Sequence, residues 1–282
     1  MKPVHLKFEH KISLAHNQLP LTYNGGVEAD NRTFSNLDIV LHYIDVPQLV
    51  QLLKEKKDFP SKGLLIRFLN AWSIVQASNN QEFQKCLSSP GINFIDSLPM
   101  FVLQKLISGK ELPRKRGSDF MRAFLACSPS NLEHTFIVSN EKTANQLEQT
   151  LTNLYPAIHI KEILVPPILE NPYEMSDYLT NCFESRSYGV YWVGIGSPKQ
   201  ELVSQLLSAT FEGCFVSCGA AIEFIAGTKK ESPKLFQDMG LEWLYRFIRE
   251  PRRLGKRYLV GNSQFILIAL KLVLKEFFSE RN

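Results

Sequence analysis

Apolar residues along this chain come in two alternating rhythms. Residues 37–43, 63–69, 91–95, 135–138, 159–164, 190–193 and 213–218 form short, mostly apolar runs with the length and composition of buried strands. Between them lie segments with helical spacing: 46–57, 70–78 continuing through 82–87, 118–127, 141–154 and 173–184. In the first of these, Val46, Leu49, Val50, Leu52 and Leu53 share one face. Strands separated by helices of this length predict an α/β fold with a Rossmann-like parallel sheet, covered by helices on both faces. The alternation stops near residue 227. Residues 228–282 predict a basic helical C-terminal appendage. Residues 1–36 are polar, with Gly25-Gly26 inside a cluster of Asn and Asp, and read as a poorly ordered extension. The α/β core then spans 37–227.

The most informative stretch is 190–201, VYWVGIGSPKQE. Its apolar run breaks at Gly194, Gly196 and Pro198 and resumes as a helix start with Lys199, Gln200 and Glu201. A strand that ends in glycines and feeds a helix N-terminus presents backbone N–H groups at one spot and favours an anion there. A tight turn without a ligand has the same pattern. Ligands of parallel sheets bind beyond the carboxyl ends of the strands, where strand order switches. The other strand ends here carry Asn70, Asp96 and Gly219-Ala220-Ala221. Asp96 suits a general base toward a bound hydroxyl, or equally the cap of the next helix. Asn70 can donate to a sugar or phosphate, and Gly219 lets a ligand approach the backbone closely. Together they suggest a nucleotide-type site. No GxGxxG, Walker motif or Asp-x-Asp pair occurs, so no bound metal is expected. Diphosphate charge would then fall to helix N-termini, Lys and Arg.

Charge sharpens the picture at the C-terminus. The net charge is +4, yet 12 of the 32 Lys and Arg, against only 6 of the 28 Asp and Glu, lie in residues 228–282. Such a segment implies an anionic partner: nucleic acid, phosphate groups or a membrane surface. Arg246, Arg249, Arg253 and Arg257 recur at intervals of three and four, roughly on one helical face, with Pro251 expected to kink or divide it. Trp243, Leu244, Tyr245, Phe247 and Ile248 interleave with them. That suits a helix between a core or membrane and an anion, a solvated basic face being the alternative. Residues 265–278 are apolar but broken by Lys271 and Lys275, as in an interfacial helix or a packed terminal one. No run of about 18 apolar residues occurs, so no bilayer-spanning segment is expected. The His, Lys and Glu among residues 1–20 argue against a signal peptide. Cys86, Cys127, Cys182, Cys214 and Cys218 are odd in number and lack CxxC spacing. Neither a disulfide framework nor a zinc knuckle is suggested, and a reducing, cytoplasmic compartment is the expectation.

Several segments carry a resemblance. Gly194-Ile-Gly-Ser-Pro-Lys-Gln-Glu201, Gly227-Thr-Lys-Lys, Ser232-Pro-Lys, Gly240-Leu-Glu-Trp-Leu-Tyr-Arg, Glu250-Pro-Arg-Arg-Leu and Lys256-Arg-Tyr-Leu-Val-Gly-Asn262 resemble signatures of the bacterial TagA/WecG/CpsF glycosyltransferases. Arg116-Gly-Ser-Asp-Phe120 and Asn93-Phe-Ile-Asp-Ser-Leu-Pro99 look like two further ones, and the similarity runs from about Leu37 onward. The resemblance implies an inverting, metal-independent hexosyltransferase without a cofactor. It would move an N-acetylmannosamine-type or other hexose from a UDP-sugar to a polyprenyl-diphosphate-linked saccharide in cell-surface polysaccharide biosynthesis. The reaction would run at the inner face of the cytoplasmic membrane.

Carried over motif by motif, Asp96 would be the base. Asn70, Gly194, Gly196, Ser197, Lys199, Gln200 and Gly219 would hold the donor. Arg246, Arg249, Arg252, Arg253 and Arg257 would reach the acceptor diphosphate. A homo-oligomer is compatible with this reading; nucleic acid, which only the basic tail supports, is not expected as a partner. Three positions depart from the family pattern: Phe68 where many members have Thr, Ser97 in place of the Gly after the catalytic Asp, and Glu223 in place of Asp. They favour a divergent donor or acceptor. Their alternative reading is a membrane-associated assembly protein that kept the fold and lost turnover, against which the retained Asp96 argues.

Overall fold

The structure is a computed structural model that describes residues 27–55, 63–183 and 188–279, with the side chains of Arg253, Lys256, Arg257 and Ser279 outside the description. The extension expected over 1–36 therefore lies outside it as far as residue 26. Residues 27–36, by contrast, are folded. Strand β1 (Glu28–Phe34) pairs antiparallel with β2 (Ile39–Tyr43), and helix α1 (Val46–Glu55) comes next. The strand at 28–34 was hidden by its composition. Only Phe34 joins the apolar core, and the buried Asp30 is satisfied locally by the Thr33 hydroxyl and the Arg32 N–H.

The core continues through β3 (Leu64–Leu69), α2 (Ala71–Asn79), α3 (Gln81–Ser88), β4 (Ile92–Ile95), α4 (Leu98–Ser108) and α5 (Gly117–Cys127). Next come β5 (Glu133–Val138), α6 (Glu141–Leu154), β6 (His159–Leu164), α7 (Pro172–Cys182), β7 (Gly189–Gly194), α8 (Lys199–Thr210), β8 (Gly213–Ser217) and α9 (Ala221–Ile225). Helix α4 falls where the sequence pattern predicts nothing. Its unbroken apolar stretch lacks a polar face to mark a period, although Pro99 opens it and Gly109, at φ +66, closes it as helix ends commonly do.

Strands β3 to β8 form one parallel sheet in the order β4-β3-β8-β7-β5-β6. The chain builds outward from β3 to β4, crosses to β5 and β6, then returns inward through β7 and β8. Strand order thus reverses around β3 and β8, and their carboxyl ends leave a crevice there. Each of β3, β4 and β8 is buried along its whole length, which is why all three read as mostly apolar runs, with Arg67, Asn93 and Ser217 as buried polar exceptions. Trp192 on β7 anchors one face, edge-on to Phe124 and stacked with His134 and Phe136. The β1–β2 pair lies beside β4, where Asn93 donates to the Val40 carbonyl and to His42 Nδ1, so the edge of the sheet is covered.

The appendage consists of α10 (Lys234–Asp238), α11 (Glu242–Arg249) and the 29-residue α12 (Pro251–Ser279). Pro251 divides the basic region into two helices, as its missing N–H demands. One side of α12 packs on α2 and α4 through Gly261, Phe265 and Ile268, and Arg32 on β1 pairs with Glu276 near its end. Gly261 allows the approach to α2: a Cβ there would stand 2.6 Å from Trp72 Cε3. The other side exposes Leu259, Ile266, Leu267, Leu270, Leu274 and Phe278. Tyr258–Phe278 is long and apolar enough to cross a membrane by length and composition alone. This amends the expectation that no segment qualifies: an apolar window can contain two lysines and still pass.

Two buried imidazoles set the acid limit of the fold. His42 accepts from the Asn93 N–H, while His134 is hydrogen-bonded to Ser128 and accepts from Trp192 Nε1. Burial lowers their pKa values to about 4 and about 3, from 6.5. Both are neutral when folded and would charge on unfolding. The stability they contribute is therefore complete above pH 6.5 and is lost as pH falls toward the folded values. Each changes stability by up to about 1.4 kcal/mol per pH unit in that window. Urea midpoints should fall from about pH 7 to about pH 5.5 while the C2 proton shifts of both rings stay flat. A native ring titrating near 6.5 would contradict its burial.

Candidate active site

At the crevice above β3 and β8 lies a cavity of about 290 Å³. The strand ends supply its floor. Asn70 follows β3, Asp96 follows β4, Gly194 ends β7, and Ser217, Cys218 and Gly219 close β8. Arg116 and Gly117 enter from the start of α5, while Glu242, Arg246 and Tyr258 reach over from the appendage. Residues separated by more than 180 positions in sequence thus share one wall, because parallel strands bring all their carboxyl ends to one edge.

Asp96 is held from behind. Gly117 N–H donates to its Oδ1 at 3.2 Å, and its own N–H donates to the Leu69 carbonyl. It does not cap α4, whose N-cap is Ser97. Burial pushes its carboxyl above the usual carboxylate range, opposed first by Arg246, then by the Gly117 N–H, Arg116 and Arg114. Glu242, the first residue of α11, is also raised by burial and by the charge of Asp96. Two carboxylates and three arginines therefore meet at one point, the arrangement that holds a proton acceptor near its working range.

The glycine turn differs from its expected form. Gly196, at φ +93, donates its N–H to Gln200 Oε1 at 3.2 Å, so that donor is already used. Gln200 Nε2 in turn donates to Glu201 Oε1, a fully buried carboxyl pushed upward by burial. Gln200 thus shapes the turn, with its amide 3.5 Å from the place a Cβ on Gly219 would occupy. Gly194 has no room for a side chain, since a Cβ would stand 2.6 Å from Ile222 Cδ1.

Of the residues singled out in the sequence, Asn70, Asp96, Gly194, Gly196, Ser197, Gln200, Gly219 and Arg246 line the cavity. Asn70 spends its side-chain oxygen capping α2 through the N–H groups of Trp72 and Ser73, and its Nδ2 remains outside that cap. Lys199 does not line it; its Nζ donates to the Leu169 carbonyl at 2.7 Å. Arg249 and Arg252 are exposed outside it, Arg249 lying over Tyr245. The division at Pro251 breaks the expected arginine face, leaving Arg246 at the site. Arg253 and Arg257 have side chains outside the described residues. Phe68 packs against Phe94 and Phe120 and adds an apolar edge to the cavity wall. Glu223 pairs with Lys229 at 2.8 Å on the cavity rim.

Arg116 is the main residue that sequence reasoning left without a role, although its Arg-Gly-Ser-Asp setting marked it. Its side chain is 8% exposed and pairs with Glu231 (2.5 Å), Asp119 (3.2 Å) and Glu242 (3.2 Å). It also donates to Gln237 Oε1 at 2.7 Å, while Ser118 and Arg122 bind Glu231 as well.

A cavity with a carboxylate, arginines and a glycine turn at the switch point of a parallel α/β sheet stands where proteins of this architecture bind their ligands. Residues 34–278 match the model of the Glycosyl transferase WecG/TagA/CpsF family, and the chain belongs to that family of glycosyltransferases. It is a transferase acting between a sugar donor and an acceptor.

Replacing Arg116 with Met should leave the half-buried Glu242 and Glu231 without their shared partner, Glu231 keeping only Arg122 and Ser118. We expect a loss of about 3 kcal/mol in urea unfolding. Earlier proteolytic cutting between residues 228 and 250 than at any other described site should accompany it, and uniform protection there would contradict the assignment.

Proposed function

We propose that the chain transfers a hexose from a UDP-sugar to a polyprenyl-diphosphate-linked saccharide at the inner face of the cytoplasmic membrane, for cell-surface polysaccharide assembly. The observation that carries this is Asp96, a partly desolvated carboxylate at a strand end, in a cavity it shares with a glycine turn and Arg246. In this reading Asp96 takes the proton of an acceptor hydroxyl as that oxygen attacks the anomeric carbon. The bond from that carbon to the UDP oxygen breaks on the opposite face, so configuration inverts. Arg246 neutralises charge growing on the leaving diphosphate, and Gln200 with the Gly194–Gly196 turn positions the donor. Arg116 is already matched by carboxylates, which makes Arg246 the more available cation. The arginine-mediated charge balance needs no metal or other cofactor.

The exposed apolar side of α12, with Lys271 and Lys275 among its residues, supports peripheral binding to an anionic membrane. Arg249 and Arg252 would then face lipid phosphates near the acceptor rather than the donor.

UDP release with a lipid-linked acceptor tests the reaction. Asp96→Asn should lower turnover by about 10²- to 10⁴-fold. Activity needs Asp96 deprotonated, so the acid limb of the rate profile reports its pKa. Removing the positive charge in Arg246→Met should raise that pKa and shift the limb to higher pH. Unchanged turnover in Asp96→Asn would remove the base from the mechanism. An absence of turnover with every donor and acceptor would favour the non-catalytic assembly protein.

A further inference from the structure

The cavity continues past Asp96 into a second, smaller one, which shares Asn70, Asp96, Glu242, Arg246 and Tyr258 with the first. Its remaining walls differ in kind. Trp72 from α2 and Trp243 from α11 line it, and the Trp243 and Tyr258 rings lie 5.9 Å apart. Ser97 and Arg114 supply its polar side.

Both carry a buried polar atom, Ser97 Oγ and Arg114 Nη1, that has no hydrogen-bond partner. Ser97 stands at the N-cap of α4, where a serine hydroxyl ordinarily accepts an N–H from the first turn, yet it makes no such bond. Arg114 places Nη2 on the Gln237 carbonyl at 3.1 Å, but Nη1 stays 3.8 Å from Glu242, beyond hydrogen-bonding reach. Buried polar atoms left unpaired are uncommon, and two on one cavity wall leave hydrogen bonds for a ligand to make.

We propose that this second cavity is the subsite for the terminal sugar ring of the acceptor, an inference that rests on the transferase reading above. A pyranose has an apolar C–H face and a rim of hydroxyls. The indoles of Trp72 and Trp243 offer surface for the face, and Ser97 Oγ and Arg114 Nη1 meet the rim. A ring seated there presents a hydroxyl to Asp96, which stands between the two cavities as a base must stand between donor and acceptor. Ser97 becomes a specificity determinant, because its unpaired hydroxyl stands in the acceptor wall.

Tryptophan fluorescence of the full chain reads this site, because Trp192 is buried in the core and only Trp72 and Trp243 can meet the ligand. The probes are geranyl diphosphate carrying N-acetylglucosamine, glucose or galactose in turn, with geranyl diphosphate alone as the sugar-free control. At least one sugar probe should give a saturable change with an affinity about tenfold or more above the control. Ser97→Val should remove most of that advantage while leaving control binding unchanged, and Trp243→Leu should weaken every sugar probe. Thermal stabilisation by UDP, retained in both variants, shows that they are folded. Equal binding of all sugar probes and the control would overturn the proposal. So would wild-type discrimination in Ser97→Val, or the same fluorescence change produced by uridine. Failure of UDP to stabilise the wild type, with sugar-dependent fluorescence intact, would count against the donor assignment and support this subsite.

Discussion

The Arg116 guanidinium joins the core to the appendage. It projects from the start of α5, directly after the loop that follows α4, and contacts Glu231, Gln237 and Glu242, which belong to the segment leading into α10, to α10 itself and to α11. Burying a guanidinium is costly unless its donors are filled, and a planar fork with several donors can serve several acceptors at once. Here those acceptors lie on a part of the chain with few buried apolar residues: α10 and α11 bury none completely. Polar closure therefore substitutes for a hydrophobic core at this joint, and it sets where Glu242 and Arg246 stand relative to Asp96.

That dependence explains the electrostatics of the site. Burial at the strand end raises the Asp96 carboxyl, and Arg246, brought in by α11, is the strongest influence pulling it back toward ionisation. Glu242 works against this, since its carboxyl feels Asp96 as a like charge. The balance among these groups belongs to no single element. It arises only when the appendage is seated, so the core by itself would have a different proton acceptor.

Helix α12 serves two surroundings. Its inner side is shaped to α2, down to a glycine where Trp72 needs room, while its outer side presents large aliphatic and aromatic residues. Contiguous exposed apolar surface of this kind in a folded protein marks an interaction surface. The packing that seats α12 also brings Tyr258 to the rim shared by the two cavities, so the surface that would meet lipid and the wall that would meet substrate are parts of one rigid rod.

Local pattern alone determined the strand-and-helix alternation, the parallel sheet and the placing of Asp96, Asn70 and the glycine turn at strand ends. Buried parallel strands are largely apolar, and glycines stand where a side chain fits poorly, so both leave marks in the chain itself. Segments stabilised by polar contacts left weaker marks. Strand β1 hides among charged residues, α4 lacks a polar face, and Arg116 carries no local sign of Glu231 and Glu242, its two distant carboxylate partners. Tertiary structure decided the rest: Lys199 turned to the Leu169 carbonyl, Gln200 closed the turn on Gly196, and Pro251 divided the basic stretch into α11, with Arg246 and Arg249, and α12. The physical reason is range. Burial and backbone geometry are imposed residue by residue, whereas the partner of a charged side chain is chosen by whatever the fold brings within a few ångströms of it.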